Sequence, residues 1–185
     1  MGDTALLNFE YEVLEHLPGY AEDIIYIPKQ GPGVGRDGMI IQFSLPQNIY
    51  WIGMFAFGEL NNRNSLNVFP GPGKDKLSIV SRGEAYIVTA KDSASFVHVG
   101  LGPVYGSMPI PQMNLSIFYD STQVVAYDEQ GLAWATNRIS WDGLRKVSYN
   151  GTSIIGEAWD SPEDAWVIFV IDPSDGSHTG VASCL

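Results

Sequence analysis

The chain has 185 residues, with 21 acidic against 10 basic side chains and a formal net charge of −11. That length fits one domain whose core is large enough to fold without a metal or a disulfide. The charge repels phosphate backbones and anionic membrane surfaces, so it sets nucleic-acid and membrane binding aside.

A charged fraction of 17%, 12% aromatics, 20 Gly and 11 Pro describe strands joined by turns rather than a helical bundle. The expected elements run as follows. Leu7, Phe9, Tyr11 and Val13 alternate with polar residues, which is strand spacing and is preferred to the helix that Leu7, Tyr11 and Leu14 on one face would also allow, and Pro18-Gly19 ends the segment. Ile24–Ile27 and Met39–Phe43 are short apolar strands separated by the glycine-rich loop 30–38. Ile49–Phe57 is apolar throughout and reads as a strand buried on both faces. Residues 59–76 are polar and rich in Pro and Gly, and are expected to form a flexible connection.

From residue 77 to 185 the pattern is regular. Leu77-Ser78-Ile79 recurs as Leu115-Ser116-Ile117, an offset of 38 residues, and each copy is followed by turn, strand, turn and an aromatic strand (Phe96, then Trp134). Ile168–Asp172 echoes Val124–Asp128 at an offset of 44. Spacings near 40 fit blade-like repeats, and a plain succession of hairpins fits them as well. Asn150-Gly151 between apolar segments signals a hairpin closed by a type I′ turn. The last third is therefore a meander over Val147–Tyr149, Ile154–Trp159 and Ala165–Ile171, the last run apolar on both faces. The expected fold is a single all-β domain, 1–185, of antiparallel hairpins and meanders in two curved packed sheets.

Several kinds of chemistry are unsupported. Gly31-Pro32-Gly33-Val34-Gly35 lacks the Lys-Ser/Thr of a phosphate cradle, and His16, His98 and His178 have no zinc spacing. Asp172-Pro173-Ser174-Asp175-Gly176 places its second acid one position off the calcium pattern and reads as a turn. No metal or cofactor is expected. The lone Cys184 precludes an intrachain disulfide, and Met1–Glu10 lacks the pattern of a signal peptide, so a cytoplasmic location is expected.

The densest group of informative residues spans Trp134–Trp166. In an extended strand Trp134, Thr136, Arg138 and Ser140 share a face, as do Ser153, Ile155, Glu157 and Trp159. If those strands are neighbours, Arg138 can pair with Glu157 between indoles. The candidate ligand-binding residues are therefore Arg138, Trp141, Asp142, Glu157 and Trp159. The competing expectation is that these tryptophans fill the core.

The stretch Trp134–Leu144, with Ile155–Asp160 and Phe169–Asp172, resembles small uncharacterised bacterial proteins sharing a Trp-x-x-x-Arg-x-Ser-x-Asp-Gly pattern before a terminal meander, a resemblance that implies no activity. Val124–Asp128 with Gly131 and Trp134 looks like one blade of quinoprotein-type β-propellers. The chain is shorter than six to eight blades of about 40 residues, so neither cofactor nor active site follows from that likeness.

Three functions are compatible with these residues. The first is a non-enzymatic binding module with an acidic surface, its partner a basic protein or a second copy of the chain. The second is a tryptophan-lined site for a sugar-like or polar aromatic molecule. The third is a hydrolase using Glu157, Asp160 or Asp142.

Overall fold

The structure is a computed structural model that describes residues 7–21, 24–31, 35–61 and 65–180. Alternating burial builds four four-stranded sheets, and the described residues include no α-helix. The chain divides into two compact units, residues 1–100 and 101–185.

In the first unit, β1 (Glu10–Leu14), β2 (Ile24–Ile27), β3 (Gly38–Leu45) and β4 (Ile49–Ala56) form a sheet in the order β1-β3-β4-β2. Its pairs are antiparallel except β2, which runs parallel to β4. The second sheet is a simple meander of β5 (Leu66–Pro70), β6 (Lys76–Ser81), β7 (Glu84–Thr89) and β8 (Asp92–His98). The two sheets pack through Ile41, Phe43 and Phe55 on one side and Leu77, Ile79, Tyr86 and Val88 on the other, all fully buried. Trp51 stacks on Phe43, with centroids 4.1 Å apart, and donates its indole N–H to the Ala90 carbonyl at 2.8 Å. A half-buried indole thereby keeps its polar edge satisfied.

The second unit also holds two packed four-stranded sheets, both of them meanders. β9 (Gly106–Ile110), β10 (Leu115–Tyr119), β11 (Val124–Tyr127) and β12 (Leu132–Ala135) form one meander, and β13 (Leu144–Tyr149), β14 (Ile154–Asp160), β15 (Ala165–Ile171) and β16 (His178–Thr179) form another. They meet through Ile117, Val124 and Trp134 against Ile154, Ala158 and Phe169. The 38-residue offset places Leu77-Ser78-Ile79 on β6 and Leu115-Ser116-Ile117 on β10, the second strand of each meander, with leucine and isoleucine turned into the two cores. The 44-residue echo joins third strands. Asp128 and Asp172, just past β11 and β15, each accept the amide two residues on (Gln130 and Ser174), both at 2.8 Å.

Three expectations are corrected. The segment 59–76 is not merely a connection: β5 lies within it, in unbroken register with β6 from Leu66↔Ser81 to Pro70↔Leu77, because Phe69 is an apolar anchor that the Pro/Gly content obscures. Asn150-Gly151 closes a hairpin, but not by a type I′ turn. Tyr149 faces Ile154 across a four-residue loop, in which the Asn150 carboxamide oxygen accepts the amides of Thr152 (3.0 Å) and Ser153 (2.8 Å). β15 is not buried on both faces, since Ile168 is 69% exposed. Residues 32–34 of the glycine-rich loop, residues 62–64 of the connection and Cys184 lie outside the described residues.

Candidate functional site: the outer face of the last sheet

Along β14, Ile154, Gly156, Ala158 and Asp160 are buried, while Ile155, Glu157 and Trp159 point to the other side. Antiparallel register extends that outer face across the sheet. Glu157 faces Arg145 on β13 and Ile168 on β15, Trp159 faces Trp166, and Ile155 faces Val170. The result is an open surface carrying two paired indoles, three aliphatic side chains and a charged row.

The charged row is internally satisfied. Arg145 Nε donates to Glu157 Oε2 at 2.5 Å, and Lys146 Nζ donates to Glu157 Oε1 at 2.8 Å. Adjacent strand residues ordinarily point to opposite faces, so two neighbouring cations reach one carboxylate only because β13 is irregular here. Its register shifts between Arg145 and Ser148, and Lys146 has φ of +54°. The Lys146 and Arg145 hydrogen bonds hold the Glu157 carboxyl below its ordinary value. The Arg145 guanidinium also lies 3.9 Å from the centroid of the Trp166 ring, which sits 5.3 Å from Trp159. Trp166 reaches across β14 because Gly143 leaves room: a Cβ there would lie 3.0 Å from Trp166 Cη2.

The sequence-predicted residues are only partly brought together. β12 stops at Ala135, so Arg138 and Ser140 belong to a loop and do not share a strand face with Trp134. Arg138 does not pair with Glu157. Its Nε donates to the Ser140 carbonyl at 2.9 Å and its Nη2 to the Trp141 carbonyl, which braces its own loop. The fully buried Ser140 hydroxyl donates to the Gly143 carbonyl at 2.7 Å and accepts the Trp159 amide at 3.0 Å. Trp141 donates its amide to the Trp159 carbonyl at 3.0 Å and is itself 37% exposed. Asp142 is exposed at the tip of this loop. The Trp-x-x-x-Arg-x-Ser-x-Asp-Gly pattern is thus a loop brace. Its first residue, Trp134, is buried and donates its indole N–H to the Pro173 carbonyl at 2.8 Å.

The expectation that the tryptophans of this region fill the core holds for Trp134 and fails for Trp141, Trp159 and Trp166. The three carboxylates do not converge either. Glu157 is on the outer face, Asp160 is buried on the inner one, and Asp142 is on the loop. Glycoside hydrolysis needs one acid with a raised pKa, whereas that of Glu157 is lowered. The residues that sequence reasoning missed are Arg145, Lys146, Trp166 and Ile168. Period two from Glu157 would have reached Trp166 and Ile168 once β14 and β15 were placed in register, but Lys146 depends on a bulge that no local pattern marks.

None of these residues lines the cleft of about 660 Å³ or the cavity of about 400 Å³ in the first unit. Among the described residues there is no group of three His, Cys, Asp or Glu able to hold a metal ion, and no helix is long and apolar enough to cross a membrane. Comparison with family models, curated proteins and solved structures finds no match to the chain.

Proposed function

We propose that the chain is a non-enzymatic binding protein that holds a protein partner on the outer face of β13–β15. The observation that carries this reading is Ile168: an isoleucine 69% exposed at mid-strand, flanked by Trp159, Trp166 and Val170. Tryptophans around an aliphatic centre that a partner would desolvate are the composition of interface hot spots. Covering Ile168 alone is worth about 2 kcal/mol.

The charges divide the work. Arg145 and Lys146 are taken up by Glu157, and Arg138 by its own loop, so the contact itself is made by indole and aliphatic surface. The net charge of −11 then acts at longer range and draws a basic partner.

The test compares wild type with Ile168→Asp for retention of proteins from cells that express the chain, at low and at raised salt. A basic partner held by wild type, released by salt and weakened at least about tenfold by the substitution is expected. Equal retention by both chains, or insensitivity to salt, overturns the reading.

A further inference from the structure

A second site lies in the first unit, independent of the face just described. The cleft of about 660 Å³ opens at the end of the first sheet where the β3–β4 turn and the start of β1 meet. Its size is that of a small-ligand pocket. Register sets its floor: Glu10 on β1 faces Ser44 on β3, which faces Tyr50 on β4, so one row of outward side chains crosses three strands. Gln42 continues the floor one step along β3, and Gln47 and Asn48 supply the rim from the turn.

The chemistry of the lining is selective. Its polar side chains are carboxamides, a hydroxyl, a phenol and a single carboxylate, and none of its described residues is basic. Phosphate and carboxylate ligands therefore find no counter-charge there. Carboxamides offer both donors and acceptors, which suits a ligand whose groups are also both, as hydroxyls are.

The aromatic part is positioned to complement this. Tyr50 is 53% exposed and Tyr20 57%, and the two rings meet edge to face with centroids 6.1 Å apart. The Tyr20 hydroxyl donates to Gln42 Oε1 at 3.0 Å, which ties the aromatic pair to a carboxamide of the cleft lining. An exposed tyrosine face beside carboxamides can take the C–H face of a sugar ring by its negative quadrupole while the amides bind the hydroxyls.

We propose that this cleft binds a neutral saccharide, with Tyr50 as the stacking platform and Glu10, Gln42, Ser44 and Asn48 as hydroxyl partners. The test is saturation-transfer NMR on the full chain with neutral hexoses, N-acetylhexosamines and their disaccharides, alongside glucose 6-phosphate as the charged probe. At least one neutral sugar should bind more tightly than its charged counterpart. Tyr50→Ala should weaken it about five- to tenfold, and Gln42→Leu should weaken it by a similar factor. Trp166→Ala, on the other unit, should leave it unchanged. Both Tyr50 and Tyr20 are more than half exposed, so Tyr50→Ala retains the fold, which a far-ultraviolet spectrum checks. No signal from any neutral sugar, stronger binding of a charged probe, or equal affinity in Tyr50→Ala overturns the proposal. Since the variants on β15 leave this cleft untouched, failure here and failure of the partner-binding reading are separate results.

Discussion

Gly176 shows how little freedom a single position can have. Its φ of +77° is a conformation side chains rarely adopt, and a Cβ there would lie 2.7 Å from Trp134 Cε3. The turn Pro173–Gly176 is therefore shaped to the indole it receives, with the Pro173 carbonyl taking the N–H. Gly176→Ala should cost about 2 kcal/mol or more, read as a lower urea midpoint with an unchanged slope. The opposite case is Gln47, which holds φ of +69° with a side chain. Gln47→Gly should stabilise the chain by about 0.5–1 kcal/mol in the same assay. Glu157 gives a pH dependence. Its carboxyl lies below the ordinary 4.5, so the stabilisation from its ion pairs is present above that value and is lost as pH falls through the lower, folded-state value. NMR titration should give a midpoint under 4.5 that rises in Lys146→Ala, since the Lys146 hydrogen bond is the largest cause.

At the scale of the element, β15 carries the tension between folding and binding. Its seven residues pair in full with β14, which supplies the register, while its inner side chains Phe169 and Ile171 are completely buried. The outer ones, Trp166, Ile168 and Val170, add little to folding at their centre, where exposure is greatest. Ile168→Asp should therefore lower stability by less than about 1 kcal/mol, the span of strand propensity, while weakening partner retention at least about tenfold. A loss of several kcal/mol in urea unfolding would show instead that Ile168 belongs to the core. β13 illustrates the converse: its bulge brings Arg145 and Lys146 to one carboxylate, and a regular strand would have separated them.

For the whole molecule, net charge decides colloidal behaviour. With a sequence pI near 4.4, turbidity should be greatest close to that pH and fall away above it as the charge of −11 develops. The all-β class, the strands over Val147–Tyr149, Ile154–Trp159 and Ala165–Ile171 and the 38-residue spacing were legible in the sequence, because period-two burial and turn residues act locally, whereas the end of β12 at Ala135 and the short β16 were not. The candidate face was legible only in part. Glu157, Trp159 and Trp141 were visible as an indole-rich, charged stretch, but core and surface tryptophans look alike until a second sheet covers one side. Local sequence determined that this chain makes strands and where most of them turn, since alternation and backbone sterics need no distant partner. Tertiary structure alone decided which face of β15 meets Ile117 and Val124 and which meets water, that Glu157 answers to Arg145 rather than Arg138, and that residues 40 positions apart line one cleft. Those outcomes depend on register and sheet packing, and both are set by contacts between segments far apart in the chain.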